Sequence, residues 1–384
     1  MVIDLQNITK LYKLAFQPER FHWRRAAFVG ALTPVFAGVW AADALARTLD
    51  EKLHPEILEQ DIGQPIFIMA SPRSGTTLLH RLMSLDDQFT SFRLWQTMFP
   101  AMSLYTLVDM MTKADELVGS PFDKVQKAFA RWAFGGWEGI HKTRFDEAEE
   151  DEASFVLAGS TPSLWMVVPF VRDTPEFGDL DTSPIRDRFV AYFRGTLQRH
   201  LHHAQRNGER KTLLAKNVLL AHRLGVVQEA APEARFVNIV RHPYRTMASF
   251  MSFFTTPWRF HSPDVPIDGP EARAFAELMM DYALSIHRFM QTLPDDRGIT
   301  IYYADLIRDP ETEIMKIYDR FGLEASERFR ARLHDVLSEE RHYASGHAYT
   351  LEQYGLTEDL VYERLREIFD AHGLARHPSE AEGI

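Results

Sequence analysis

A group of hydroxyl and cationic residues separates an apolar run from a helical pattern near residue 70. After the apolar run 65–70 the sequence reads Ser71-Pro72-Arg73-Ser74-Gly75-Thr76-Thr77-Leu78-Leu79. Gly75 lets the backbone approach a ligand, and backbone N–H groups at a helix N-terminus attract anions. The hydroxyls of Ser74, Thr76 and Thr77 and the forked cation of Arg73 suit phosphate oxygens. The segment from Arg73 to Leu78 predicts an anion cradle; the alternative is an ordinary strand–helix turn with capping residues.

This segment differs from the Walker A loop of nucleotide hydrolases. That loop requires Gly, four residues and then Gly-Lys-Ser/Thr. Here Ala70 replaces the first Gly, Thr76 stands at the Lys position, and the cation is Arg73 instead. No obvious Asp ends a later strand to hold magnesium, so hydrolysis of a nucleoside triphosphate loses support.

A second cationic element follows another apolar run. Residues 235–240 are apolar, Arg241 comes directly after them, and Ser249 lies eight residues further in a helical pattern. An arginine at the carboxyl end of a strand and a hydroxyl two turns into the next helix can converge on one anion. Arg245 offers a third cation. The alternative is a surface arginine that ends a strand.

Taken together, these segments resemble the PAPS-dependent sulfotransferase family. Ser71 to Leu79 resembles its 5′-phosphosulfate loop, in the form typical of tyrosylprotein sulfotransferases and many bacterial small-molecule sulfotransferases. The resemblance implies 3′-phosphoadenosine 5′-phosphosulfate (PAPS) as co-substrate, with Arg241 and Ser249 on its 3′-phosphate. In Leu214-Ala215-Lys216-Asn217, Lys216 matches a lysine that contacts the transferring sulfuryl group, although it could be a salt-bridged strand-end lysine. Tyr303, in Tyr302-Tyr303-Ala304-Asp305-Leu306, would lie against the adenine.

The sequence departs from the family pattern at several positions. Asn217 replaces a commoner Asp or Ser, Ala304 replaces a Glu, and Gln96 of Leu94-Trp95-Gln96 stands where relatives often carry a Glu. An amide cannot accept the proton of an attacking hydroxyl, so the general base must lie elsewhere. His141 and Glu150 are our two candidates. For His141 the alternative is an exposed or structural histidine. For Glu150 it is a solvated helix start formed by the acidic run 146–152.

The resemblance implies an in-line displacement that transfers a sulfuryl group to a hydroxyl of a small-molecule or lipid acceptor. Arg73, Lys216 and the loop amides would neutralise charge on the bridging and sulfuryl oxygens. We expect no metal, because His200, His202 and His203 lack an acid at ligand spacing. Aromatic residues favour an apolar acceptor, although such residues are more often plain core; they are Trp95, Phe99, Trp132, Phe134, Trp137, Trp165 and Phe170. A further segment, 345–356, resembles a bacterial C-terminal element of the family and is expected to close over nucleotide or acceptor.

Four short apolar runs, at 65–70, 212–215, 235–240 and 299–303, predict buried parallel strands separated by helical patterns. The predicted fold class is α/β, with a P-loop-like parallel sheet flanked by helices. We expect a helical N-terminal extension at 1–60, a sulfotransferase domain at 61–376 and a flexible tail at 377–384. Within that domain, about 91–185 would form a helical insertion on the acceptor side.

Composition limits the class of partner. The chain has 384 residues, a formal net charge of −11 and no cysteine. An acidic chain is a poor general binder of nucleic acid, and the lack of cysteine excludes disulfides and Cys–zinc sites. Whether the protein forms a homo-oligomer is left open. The runner-up functions are a P-loop-type nucleotide-dependent kinase and a catalytically silent PAP-binding scaffold protein.

An apolar stretch at 26–42, interrupted by Pro34 and Gly38, has three interpretations. It could be a core-packed helical pair, a surface anchor in which residues 23–42 contact a membrane peripherally, or a membrane span. Charges before residue 26 exclude an early secretory signal. We expect a cytoplasmic protein, with peripheral membrane contact as the open alternative.

Overall fold

The structure is a computed structural model that describes residues 2–117, 150–339 and 349–378. In this part of the chain, parallel strands form one sheet in the order β2–β3–β1–β4–β5. The strands are β1 (Ile66–Ala70), β2 (Phe89–Thr90), β3 (Thr212–Lys216), β4 (Arg235–Val240) and β5 (Gly298–Tyr302). Their carboxyl ends share one edge, where ligands bind in open α/β sheets.

The helices connect and cover these strands. They are α1 (Leu5–Phe16), α2 (Trp23–Leu53), α3 (Thr76–Met83), α4 (Leu94–Met98), α5 (Met102–Leu117), α6 (Glu152–Ala158), α7 (Arg186–Ala204), α8 (Leu224–Ala230), α9 (Pro243–His261), α10 (Pro270–Thr292), α11 (Tyr303–Arg308), α12 (Pro310–Phe321), α13 (Glu327–Glu339) and α14 (Glu358–His372). The predicted α/β class, with a parallel sheet flanked by helices, is confirmed.

The two faces of the sheet bury separate clusters of side chains. Along β1, Phe67 and Met69 join the cluster that includes residues of α7, α9 and α10. Ile66, Ile68 and Ala70 join the opposite cluster with residues of α3, α12 and α13. All five residues of β1 are buried, which explains why this strand reads as a continuous apolar run rather than an alternating one.

Local signals placed several element ends correctly. The Asp309 carboxylate accepts a hydrogen bond from the backbone N–H of Thr312 at 3.1 Å, which caps α12. Gly322 ends that helix with φ +62°, a conformation that favours glycine. Two expectations need correction: the two-residue strand β2 was missed, and Tyr303 begins α11 instead of ending β5.

The stretch 26–42 is part of a single helix, α2, so the core-packed helical pair is wrong. Pro34 removes one backbone hydrogen bond, to the carbonyl of Gly30. Because both residues are exposed, water can satisfy that carbonyl and the helix continues. In the most apolar 18-residue stretch of α2, only 17% is buried inside the protein.

Several predicted features lie outside the described residues. These are His141, the aromatic residues Trp132, Phe134 and Trp137, the segment 345–348 and the tail from 379. In the described parts of 91–185, Trp165 and Phe170 are buried core residues, so they do not support an apolar acceptor pocket.

Candidate active site

The turn between β1 and α3 has a backbone that only a few residues tolerate. Gly75 has φ +90°, and a Cβ built there would lie 2.7 Å from Cδ2 of Tyr303. Arg73 has φ +69°, the one positive φ of a non-glycine residue in the described chain. Such a conformation costs roughly 1–3 kcal/mol and persists where surrounding contacts impose it. The turn therefore requires glycine at 75 and holds Arg73 under strain.

The structure brings Arg73 together with the second cationic element. Nη1 of Arg241 donates to the backbone carbonyl of Arg73 at 2.9 Å, and Nε of Arg73 donates to Oγ of Ser249 at 3.1 Å. The guanidinium carbon of Arg241 lies 4.1 Å from the ring centroid of Tyr303. These four residues come from β1–α3, β4–α9 and α11, and they meet at the carboxyl edge of the sheet.

Tyr303 has a contact that the sequence did not suggest. Its ring packs against both Gly75 and the guanidinium of Arg241. This arrangement makes Tyr303 a spacer that positions the turn and the arginine relative to each other. The expected contact between Tyr303 and adenine stays a prediction.

Arg73, Arg241 and Arg245 bring three positive charges close together at this edge of the sheet. Burial lowers the pKa of Arg241 from its ordinary value, and the nearby charges of Arg73 and Arg245 lower it further. The buried hydroxyl of Ser74 and Nε of Arg241 have no hydrogen-bond partner within the described structure. Buried polar groups are normally paired, so both are donors left unsatisfied beside the predicted anion cradle.

Lys216 links the turn to the acidic segment that follows residue 149. It ends β3 with a fully buried side chain. Its Nζ donates to Oγ1 of Thr77 at 3.2 Å and lies 3.3 Å from a carboxylate oxygen of Glu150. The side chain of Glu150 is 20% exposed, so it remains accessible from the site. Three predicted site residues, Thr77, Lys216 and Glu150, therefore meet here. The ammonium group of Lys216 forms a salt bridge with Glu150 and also contacts Thr77 of the anion cradle.

The neighbouring carboxylates are held by specific partners. Nδ2 of Asn217 donates to Asp151 at 2.6 Å and to Glu152 at 3.1 Å, and Nη1 of Arg223 donates to Glu152 at 2.7 Å. Burial raises the pKa of Asp151 to about 7, and the charges of Glu152 and Glu150 act in the same direction. An Asp at 217 would add a further negative charge here, which gives a physical reason for the amide at this position.

These contacts correct the interpretation of residues 150–152 as a solvated helix start. Asp151 is 1% exposed, and the side chain of Glu152 is 15% exposed. Asp151 and Arg223 also belong to this cluster, although neither was a predicted site residue. A signal was present in the acidic triplet at 150–152, but nothing local placed it beside Lys216 and Asn217.

Two buried histidines, His80 and His200, are poor candidates for the base. His80 is buried, its pKa is lowered to about 3 by burial and by Lys216, and its ring contacts the carbonyl of Leu214 at 3.2 Å. His200 contacts Oγ1 of Thr90 at 2.9 Å and also has a pKa lowered to about 3 by burial. Within residues 2–117, 150–339 and 349–378, no group of three His, Asp or Glu side chains could hold a metal ion.

Gln96 has a structural contact of its own. Its side-chain oxygen accepts a hydrogen bond from the backbone N–H of Arg93 at 2.9 Å, which caps α4. Its own backbone carbonyl accepts from the hydroxyl of Tyr105 at 3.0 Å. At the position that often carries a Glu in the resembled family, this protein therefore has a residue that caps α4 and holds Tyr105.

Comparison with known proteins gives a consistent result. A family model described as "Sulfotransferase family" matches residues 65–327, more than half of the chain. The omega-hydroxy-beta-dihydromenaquinone-9 sulfotransferase Stf3 of Mycobacterium bovis is 25% identical over 375 residues, covering 96% of this chain and 89% of that protein. The same protein of Mycobacterium tuberculosis matches equally.

Two solved structures share the fold. Sulfotransferase STF9 from Mycobacterium avium superposes with a TM-score of 0.74 at 18% identity, covering 100% of this chain and 94% of that one. Sulfotransferase STF1 from Mycobacterium tuberculosis H37Rv has a TM-score of 0.70 at 20% identity, covering 94% of this chain and 91% of that one.

Proposed function

The chain belongs to the sulfotransferase family and is a sulfotransferase, and we propose that it transfers the sulfuryl group of PAPS to a hydroxyl of a lipid-like acceptor. The observation that carries the proposal is the meeting of Arg73, Arg241 and Lys216 at one edge of the sheet. PAPS carries a phosphosulfate and a separate 3′-phosphate. Two adjoining cationic elements suit both ends of such a donor.

The donor would lie across the two elements. The turn from Arg73 to Leu78, with its backbone N–H groups and hydroxyls, would hold the 5′-phosphosulfate. Arg241 and Ser249 would hold the 3′-phosphate. The unpaired Nε of Arg241 and the unpaired hydroxyl of Ser74 support this placement, since each is a donor that lacks an acceptor in the described structure.

The reaction would be a direct displacement at sulfur. The acceptor oxygen forms a bond to sulfur, the bond between sulfur and the 5′-phosphate oxygen breaks, and 3′-phosphoadenosine 5′-phosphate (PAP) leaves with the bonding electrons. Arg73 and Lys216 would stabilise charge on the leaving and sulfuryl oxygens. This scheme requires no metal.

We propose Glu150 as the group that takes the proton of the acceptor hydroxyl. Its carboxylate lies beside Lys216, which would contact the sulfuryl group, so proton acceptor and reacting sulfur would be neighbours. The partly exposed side chain leaves room for an acceptor. His141 remains the other candidate base.

The acceptor class comes from the relatives rather than from the site. The Mycobacterium bovis protein is named for a hydroxylated menaquinone, which is a lipid with a long apolar chain. We therefore propose a hydroxyl on an apolar, lipid-like molecule as the acceptor for this chain.

Transfer from radiolabelled PAPS to a panel of hydroxylated quinones, sterols and phenols tests the proposal, with Glu150→Gln as the variant. Loss of a general base costs on the order of 100- to 10,000-fold, so kcat should fall by that range while PAP affinity changes by less than about threefold. Glu176→Gln, which alters an exposed ion pair with Lys10, is the matched control and should keep full activity.

The alternatives predict different results. A Glu150→Gln variant within about threefold of the parent in kcat would remove Glu150 from the reaction. A protein that binds PAP but transfers nothing to any acceptor would be the silent scaffold. Turnover of ATP with magnesium, without binding of PAPS, would indicate the kinase.

A further inference from the structure

Between residues 25 and 50, helix α2 carries its charged residues on the side that faces the protein. These are Arg25, Asp43, Arg47 and Asp50, and all four are buried. A helix at a water-exposed surface normally shows the opposite arrangement, with charges outside. In this stretch of α2 the charges therefore lie on the unexpected side.

Specific bonds fix the orientation of this helix. The Asp50 carboxylate accepts from the backbone N–H of Met102 at 2.7 Å and of Ser103 at 2.8 Å, and it pairs with Arg199 at 3.2 Å. Arg47 donates to Oγ1 of Thr196 at 2.9 Å. Breaking such buried pairs is costly, so α2 cannot rotate to turn its charges toward water.

The outward side of α2 has no charge over most of its length. Between residues 26 and 50, every exposed residue is apolar, small or a threonine. This stretch is about 35 Å long at 1.5 Å per residue. Its larger members are Val35, Leu45 and Leu49, which are 55%, 64% and 41% exposed. We call this surface, the exposed residues of α2 between 26 and 50, the outer face.

Neighbouring residues extend the outer face. Helix α5, which begins at the Asp50 carboxylate, exposes Leu107 and Met110 by 51% and 65%. At the start of α2, Phe21 and Trp23 are 53% and 64% exposed, and the guanidinium carbon of Arg24 lies 5.5 Å from the Trp23 ring centroid. Aromatic and cationic residues at one end of an apolar surface are typical of the headgroup level of a membrane.

We infer that the outer face of α2 docks the protein onto a lipid surface, with the helix lying flat in the interface. In the described part of the chain, α2 is the helix long and apolar enough to cross a membrane. However, a crossing would have to pull the buried pairs of Asp43, Arg47 and Asp50 away from the protein. A flat helix keeps these pairs and covers the apolar side.

The docking surface adjoins the proposed active site. Nε1 of Trp40, near the middle of α2, donates to the carbonyl of Leu157 at 2.9 Å. Leu157 belongs to α6, which starts two residues after Glu150. Docking would therefore hold at the membrane a helix that contacts the segment carrying the base candidate. This last step rests on the proposed function; the docking itself does not.

The charge of the protein decides which force drives the docking. With a net charge of −11, the chain as a whole is repelled by anionic lipids, so apolar contact must supply the affinity. Binding should then persist at high salt, because screening weakens electrostatic attraction but not apolar burial.

Flotation of the full chain with vesicles of phosphatidylethanolamine and phosphatidylglycerol tests the inference. The parent protein should float with the vesicles at both low and high salt. The double variant Ala41→Glu with Leu45→Glu should lose about tenfold or more in partitioning, because charged residues are excluded from apolar lipid. Leu58→Glu, at a 48% exposed leucine outside α2, is the matched control and should bind like the parent.

Affinity for PAP, measured for every variant, shows that the fold and donor site are intact. A parent protein that stays unbound overturns the inference. So does a stable dimer in the absence of lipid that Leu45→Glu dissociates, because a second copy would then cover the outer face. Neither result bears on sulfuryl transfer, which is measured separately with dispersed acceptors.

Discussion

Replacing Arg241 with alanine should weaken PAP binding far more than it weakens the fold. The side chain donates to the carbonyl of Arg73 at 2.9 Å, lies 4.1 Å from the Tyr303 ring centroid and has an unpaired Nε. Arg241→Ala would also remove the charge-assisted hydrogen bond that the guanidinium is proposed to make to the 3′-phosphate, and such a bond contributes about 1.5–3 kcal/mol. The dissociation constant for PAP should therefore rise on the order of 100-fold.

Arg241→Lys separates the charge from the geometry. Lysine keeps the positive charge but lacks the planar fork, so it cannot hold the Arg73 carbonyl and a phosphate at once. We expect its affinity for PAP to fall by about tenfold, between those of the parent and the alanine variant.

Isothermal titration calorimetry with PAP at two salt concentrations measures these effects. Arg235→Ala is the matched control, because Arg235 starts the strand that Arg241 follows and lies at the opposite edge of the sheet. Its guanidinium carbon lies 5.3 Å from the ring centroid of Phe321, away from the site. This control should bind PAP like the parent.

Two results would refute the reasoning. Affinity of Arg241→Ala within about threefold of the parent would remove the second anion element from the donor site. Equal losses of PAP affinity in Arg235→Ala and Arg241→Ala would show that binding does not depend on the position of Arg241 at the carboxyl edge of the sheet.

Two further predictions concern the turn and the acidic segment. Gly75→Ala should lower the free energy of unfolding by about 2 kcal/mol and weaken PAP binding, because the φ of +90° and the Tyr303 ring both oppose a Cβ. An unchanged midpoint of urea denaturation together with an unchanged affinity for PAP would contradict this. The pKa of Asp151 rises from 3.8 to about 7 on folding, so its protonated form stabilises the fold at low pH and that contribution is lost as pH rises through about 7. Urea denaturation should therefore show that Asp151→Asn gains stability relative to the parent as pH rises from 5 to 8, by at most about 4 kcal/mol. A stability difference between variant and parent that does not change with pH would contradict the raised pKa of Asp151.

Much of the fold follows from neighbouring residues alone. The predicted strand 235–240 matches β4 at both ends, and the cap at Asp309 and the glycine at 322 bound α12 as expected. Such signals are local: an apolar run between turn formers, a capping carboxylate, a glycine that tolerates positive φ. They sufficed to predict the α/β class, whereas the sulfotransferase family was predicted from the resemblance of motifs such as residues 71–79 to those of known proteins.

Short elements without a strong local pattern escaped prediction. Strand β2 has only two residues, and its existence depends on pairing with Thr212 and Leu213 of β3. Tyr303 reads as the end of an aromatic, β-branched run, yet it begins a helix. In both cases a contact with distant chain outweighs the preference of the residue itself.

The amino-acid sequence by itself determined four of the five described strands, the turn at 71–75 and the residue types of the candidate site, because these depend on backbone preferences within a few residues. Only the tertiary structure decided that Glu150 pairs with Lys216, that Asn217 donates to both Asp151 and Glu152, and that α2 buries four of its charges. These pairings join positions far apart in the chain. Burial and charge act through space, so they are set only when the fold has brought those positions together.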